Sequence, residues 1–373
     1  VRTTLNFALT AEQEELKSTT RRFLAQHLPT SSVRTSMESA TPIPVDLWRE
    51  MANGLGIAGL LIPEVAGGLE LGFIEAACVL QEIGRSVAPL PFLVTSILGV
   101  SLLSHADAKD PIIAEIFAGI NTGDIILGLV CGSIDDPLRP CGTWSGAGVG
   151  VTAESRFALD GAQATHLLVA LDGDRGTVLA LVRADAPGVT VTAEVTLDLT
   201  RPMAHVRFDS SPATVILDHT QLQQLTERFD AIASAGIAQD MIGGAERVLE
   251  MSVEYAKDRH QFGRPIGSFQ AIKHRLADML VDVESAKSTA LYAAFTIADA
   301  SDDQLIAAAT AKSTCGDAYF RVAAASIQVH GGIGFTWEHD AHLYFKRAKA
   351  DQILFGNGPA QRRKLAHLLG IVS

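Results

Sequence analysis

The spacing of apolar positions along the chain changes twice. From Thr10 to Ile120 apolar residues gather in short blocks broken by Gly- and Pro-rich turns, the texture of helices. Thr10 with Gln13 has the form of a capping box, Glu12, Glu14 and Glu15 fill the first turn, Arg21 and Arg22 the last, and Pro29 is the stop. Further short helices are expected over Val45–Ala52, Phe73–Ile83, Pro91–Leu103 and Pro111–Ile120. Near Asn121 the texture shifts to short Val-, Leu- and Thr-rich runs between turn signals. Ile125–Val130, His166–Leu171, Thr177–Arg183, Ala204–Phe208 and Thr214–Leu217 read as strands. Beyond Thr220 the helical period returns, now in long elements. Phe269, Ile272, Leu276, Met279 and Val283 step by three and four along one stripe. Ser301 with Gln304 has the form of a second capping box, with Asp302 and Asp303 near the positive end of the dipole, and Gly331-Gly332 closes that helix. The order predicts an α+β multidomain chain: an all-α N-terminal domain (1–122), a small β-barrel or sandwich (123–220) and a C-terminal helical bundle (221–373).

Composition narrows the function. The 373 residues are 47% hydrophobic and 19% charged, enough for large buried cores. An excess of 42 acidic over 30 basic residues gives a formal charge of -12, which argues against a general binder of nucleic acid or anionic membranes. Cys78, Cys131, Cys141 and Cys315 form no Cys-x-x-Cys pair, and His260, His274 and His330 have no metal-ligand spacing, so no metal site is expected. Free thiols and the absence of a basic-then-apolar leader or a long apolar run lead to the expectation of a cytoplasmic protein. Gly146-Ala147-Gly148-Val149-Gly150 lacks the strand–turn–helix context and the Lys-Ser/Thr of a nucleotide loop and reads as a β-turn. Lys346-Arg347 and Arg362-Arg363-Lys364 read as solvated helix faces or interface partners, and Glu227, Glu246 and Glu250 likewise.

The chemistry-bearing stretch is Arg259-His260-Gln261-Phe262-Gly263-Arg264-Pro265-Ile266-Gly267-Ser268-Phe269-Gln270. It reads as a helix end, a tight turn and a new helix. A guanidinium at Arg259 matches diphosphate oxygens two at a time and stays charged. Phe262 can lie against a purine ring, and Gln270 can both donate and accept. Singly, these residues are also what an ordinary helix–helix turn contains. Together, Tyr255–Met279 resembles the flavin-contacting motif of the acyl-CoA dehydrogenase family, and Gln328-Val329-His330-Gly331-Gly332-Ile333-Gly334-Phe335 resembles a second motif of that family.

The resemblance implies helical, β and four-helix-bundle domains assembled into dimers and tetramers, with FAD as cofactor. It implies that Arg259, Phe262 and Gln270 reach across a dimer interface to the diphosphate and adenosine of the FAD in the neighbouring subunit, and that Gln328, Gly331 and Gly332 contact the same FAD. Other family segments are missing. Val130-Cys131-Gly132-Ser133-Ile134-Asp135-Asp136 replaces a Thr-Glu-Pro-x-Ala-Gly-Ser-Asp-like stretch. Phe157-Ala158-Leu159-Asp160-Gly161-Ala162-Gln163 runs straight into Ala164-Thr165-His166-Leu167, as though the flavin-ring segment were deleted.

Abstracting a proton α to a thioester needs a carboxylate in a desolvated pocket. The two positions at which the family places its glutamate fall on Phe355 and Ala233, neither of which takes a proton, with Asp230 and Asp351 nearby in sequence. No catalytic residue is therefore expected in this chain. The combination resembles the non-catalytic subunit of bacterial α2β2 heterotetrameric acyl-CoA dehydrogenases acting on steroid side-chain CoA thioesters, in which a homologous partner subunit carries the glutamate and most substrate contacts. Two other readings remain open. One is a self-sufficient homotetramer with a displaced base; the other is a scaffold subunit that binds neither flavin nor CoA.

Overall fold

The computed structural model describes residues 8–107, 109–145 and 150–372. The N-terminal helices are α1 (Ala11–His27), α2 (Thr30–Met37), α3 (Val45–Leu55), α4 (Phe73–Arg85), α5 (Val100–Leu103) and α6 (Pro111–Thr122). The Thr10–Gln13 capping box forms. Arg21 lies a turn earlier than expected, because α1 continues to His27; Arg21 there grips the buried Glu82 with both Nε and Nη2 at 2.8 Å. The helix expected over Pro91–Leu103 is a π-helix from Phe92 to Gly99 that passes into α5. Apolar periodicity cannot separate the two forms when every residue of the segment is buried, as here.

The middle of the chain forms one sheet of β1 (Leu127–Cys131), β2 (Gly142–Ser145), β3 (Gly150–Leu159), β4 (His166–Gly173), β5 (Gly176–Arg183), β6 (Val189–Glu194), β7 (Met203–Ser211) and β8 (Thr214–Leu217). Its order is β6-β7-β3-β1-β4-β5-β8, and β2 pairs with both β3 and β4. The sheet has two buried faces. Leu129, Leu159, Leu168, Leu179 and Leu217 join the helical core, while Val130, Val151, Leu167, Val169, Val206 and Phe208 form a second core on the opposite face. Strands buried on both sides read as continuous apolar runs, which is why β4 and β5 were visible in the sequence. Of the proposed turn at Gly146–Gly150, Gly146–Val149 lie outside the described residues and Gly150 opens β3.

The remainder is helical: α7 (His219–Asp258), a small ribbon of β9 (His260–Gln261) and β10 (Arg264–Pro265), then α8 (Gln270–Ala298), α9 (Gln304–His330), α10 (Ala341–Ile353) and α11 (Gly358–Leu368). The Ser301–Gln304 capping box does not form. Ser301 Oγ accepts from Asp303 N–H instead, and Gln304 Oε1 accepts from Arg228. Helices α4 and α7 cross with their backbones in contact. A Cβ at Gly84 would stand 1.9 Å from Asp240 O, and one at Gly243 1.7 Å from Gln81 O. This crossing places Asp240, in the middle of α7, beside the sheet and α10. Among the described residues no helix is long and apolar enough to cross a membrane.

Candidate functional site

Helix α7 ends where Arg259 adopts extended backbone (φ -77°, ψ 118°). The Arg259 N–H donates to Tyr255 O at 2.8 Å, and its carbonyl accepts from Ile266 N–H at 2.8 Å. Between them β9 and β10 pair across a turn whose central residues, Phe262 (φ +52°) and Gly263 (φ +75°), are both left-handed, the geometry tight hairpins prefer. That backbone is uncommon for phenylalanine, and the Phe262 side chain is 92% exposed. Its ring meets the edge of Phe269 at 6.1 Å, while the Arg264 guanidinium lies 4.0 Å over the Phe269 ring and braces the hairpin. Gln270 opens α8 and is exposed. Arg259 is exposed and has no side-chain hydrogen bond or ion pair among the described residues.

The second motif sits at the same end of the bundle. Gln328 is exposed in the last turn of α9, and Gly331 (φ +64°) terminates the helix. A Cβ added at Gly263, Gly331 or Gly332 would meet nothing within 4 Å. The absence of a side chain at Gly332 is therefore not demanded by packing within this chain. The ends of α7 and α9 are tied together: Ser252 Oγ donates to Ser326 Oγ at 2.8 Å, and the rings of Tyr255, His330 and His339 meet in series, tilted, at 4.5 and 4.3 Å. Burial lowers the pKa of His330 and His339. Arg259, Phe262, Gln270, Gln328, Gly331 and Gly332 thus occupy one end of the bundle. Sequence reasoning missed the apolar surface beside them, Ile333 (48% exposed), Phe335 (82%) and Trp337 (48%). The signal was an apolar run continuing past a helix stop.

The expected base positions are sealed. Ala233 is fully buried in α7. Phe355 is buried with φ +60°; its N–H donates to Ile134 O at 2.9 Å and its carbonyl accepts from Gln361 Nε2 at 2.7 Å. The nearby carboxylates are engaged. Asp230 pairs with Lys364. Asp351 accepts from Arg201 Nε at 2.8 Å and lies 3.6 Å from Arg347 Nε. Arg347 was expected on a solvated helix face or at an interface; it is 2% exposed, because Asp240 accepts from it at 3.1 and 2.8 Å and the Thr200 carbonyl at 2.9 Å. Two arginines and the aspartates Asp198, Asp240 and Asp351 thereby join α7, α10 and the β6–β7 connection in one buried ion network. Burial raises the Asp351 carboxyl to about 7, against the pull of Arg201. Burial acts the same way on Asp240, but Arg347 and Arg201 outweigh it and hold that carboxyl low.

Beside this network lies an apolar hollow of about 230 Å³, lined among others by Ile134, Phe157, Leu159, Met203, Ile353 and Leu354. It gathers the two stretches that the resemblance relates to a subunit's own flavin, the segment after β1 and the end of β3, beside Leu354, the neighbour of the expected base position Phe355. Of the polar residues on its wall, Asp198 and Arg201 belong to the ion network, Lys349 Nζ donates to Gln352 Oε1 at 3.0 Å, and the Thr196 hydroxyl donates to the Asp198 carbonyl at 2.8 Å. Such a lining suits an apolar group and does not fit the polar edge of a flavin ring, which needs hydrogen-bond partners. No cluster of metal-ligating side chains occurs among the described residues.

Residues 10–109 match the model of the acyl-CoA dehydrogenase N-terminal domain, and residues 231–369 that of the C-terminal domain. The chain is 33% identical over 357 residues to the acyl-CoA dehydrogenase IpdE2 of Mycolicibacterium smegmatis, covering 96% of this chain and 98% of that relative. It is 34% identical over 342 residues to IpdE2 of Mycobacterium tuberculosis, covering 90% and 91%. Among solved structures, the ChsE4-ChsE5 complex from Mycobacterium tuberculosis superposes with a TM-score of 0.88 at 27% identity, covering 99% of this chain and 100% of that one. A variant of the Tcur3481-Tcur3483 steroid ACAD gives 0.86 at 28% identity, covering 96% and 98%. The helical, sheet and helical layers seen here are also those of butyryl-CoA dehydrogenase from Megasphaera elsdenii (TM-score 0.87, 22% identity, covering 98% and 100%). On fold, on both matched domains and on near-full-length identity, the chain belongs to the acyl-CoA dehydrogenase family.

Proposed function

We propose that this chain is the flavin-supporting, non-catalytic subunit of a heteromeric acyl-CoA dehydrogenase, an oxidoreductase that desaturates the α,β bond of a CoA thioester. One contrast carries the reading: the residues suited to holding FAD from outside are exposed, Arg259 among them with no ion pair among the described residues, while both expected base positions are closed by Phe355 and Ala233. In this reading Arg259 pairs with the FAD diphosphate and Phe262 lies against the adenine. Gln270 and Gln328 supply hydrogen bonds, and the Gly331-Gly332 turn lets backbone approach the cofactor closely. The bound flavin would supply the hydride acceptor. The homologous partner subunit would supply the base, the ring-binding segment and most substrate contacts, in an α2β2 assembly. A steroid side-chain CoA thioester is the proposed substrate class, by analogy with the relative described as a steroid ACAD and with the two-component structures among the relatives.

Comparing the purified chain with the co-expressed pair tests this. The pair is expected to reduce an electron acceptor on addition of acyl-CoA, and the chain alone to carry neither activity nor flavin. Flavin and acyl-CoA-dependent activity in the single chain would instead establish a self-sufficient enzyme.

A further inference from the structure

The stretch from Gly331 to Asp340 presents Gly331, Gly332, Ile333 and Phe335 to solvent. Its root is fixed by the Tyr255–His330–His339 ring series. Its far end is fixed by Arg34, from the last turn of α2 in the N-terminal helical region. Arg34 Nη1 donates to the Trp337 carbonyl at 2.6 Å, and Nη2 to Asp340 Oδ1 at 2.8 Å. The guanidinium lies 5.6 Å from the Trp337 ring centre, Lys346 Nζ lies 5.1 Å from the same ring, and His342 stacks on it at 4.8 Å. The Arg34 side chain is only 18% exposed. An exposed ion pair is worth little. A planar fork that bonds a carbonyl and a carboxylate at once, over an aromatic ring, fixes geometry in a way that a lysine cannot copy.

We propose that Arg34 is a positioning residue for flavin holding: it locks the Gly331–Asp340 segment so that the Gly331-Gly332 turn meets the FAD in a single conformation. The inference rests on the reading of that turn as a flavin contact. A segment opening on two glycines loses much conformational freedom when it is ordered by a ligand. A tether that orders it beforehand removes that cost from binding. Val33 and Met37, the buried residues of α2, join the helical core.

The test uses the complex isolated with its partner subunit, stripped of flavin and titrated with FAD. Arg34→Ala and Arg34→Lys are compared with Arg259→Ala as reference, and hydrogen exchange is followed over 331–340. Arg34→Ala is expected to speed exchange in that stretch while leaving α7 protected. It should weaken FAD binding roughly five- to tenfold, the scale of one lost ordering contribution, with Arg34→Lys in between. Unchanged exchange, or faster exchange with unchanged FAD affinity, overturns the tether while a weakened Arg259→Ala complex keeps the flavin-holding reading. If Arg259→Ala also binds FAD normally, that reading falls and the tether with it. Should Arg34→Ala fail to assemble, Arg34→Lys decides: wild-type affinity in that variant overturns the proposal.

Discussion

Arg259 stands at a helix end, exposed and with no ion pair among the described residues. If it pairs with a diphosphate at a subunit interface, Arg259→Ala should cost ~2–5 kcal/mol, roughly thirtyfold or more in FAD affinity. Lysine should recover only part of this, since it lacks the fork. FAD titration of the stripped complex measures it. Asp160 makes a different prediction. It follows β3 with φ +55° and is 6% exposed, and burial raises its carboxyl to about 7 in spite of Arg201 and Arg347. A raised carboxyl binds its proton more tightly when folded, so its stabilising contribution is complete below about pH 4 and is lost as pH rises to about 7. Asp160→Asn mimics the neutral form and suits the left-handed backbone. The variant should match the natural chain in acid and exceed it at pH 8 by ~2–4 kcal/mol. Denaturant midpoints across that range test the sign. At this scale the sequence revealed exposed motif residues well and buried charge poorly. Arg347 looked solvated beside Lys346 because its partner Asp240 lies on another helix, and no local pattern encodes that meeting.

Among the elements, long helices, doubly buried strands and the alternating β7 were legible, while β2, β3 and β6 were not. The ten-residue β3 escaped notice because its pairing with β7 shifts register between Val151 and Ala153 and again between Ser155 and Ala158, which breaks its alternation. The edge strand β6 is largely exposed and offers little apolar signal. The missing capping box of α9 has the same character, since Ser301 found a nearer N–H and Gln304 a partner on α7. The turn after α9 supports a sharper prediction. Gly332 has open space around it and no left-handed backbone. Gly332→Ala should therefore leave the unfolding free energy of the chain within the ±0.5 kcal/mol expected for neutral surface changes, as read from denaturant midpoints. If another molecule's flavin approaches there, the same methyl should weaken FAD binding in the complex. Equal affinity in variant and natural complexes would remove this turn from the cofactor contact.

The whole molecule presents two unlike surfaces. One end of the bundle carries exposed groups, among them Arg259, which has no ion pair among the described residues, and the cleft between the sheet and α10 is occupied by an ion network and an apolar hollow. Family membership was legible from the two motifs at the bundle end. The closure of the cleft was only half legible: the sequence showed that Phe355 and Ala233 lack a proton-taking group, but not that Arg201, Asp240, Arg347 and Asp351 come together beside them. On the proposed reading, this chain contributes half of a flavin site. The most direct measurement is the ratio of released FAD to protein in the complex with its partner subunit. One FAD for each pair of unlike subunits is the expected result; one FAD per chain would contradict the account.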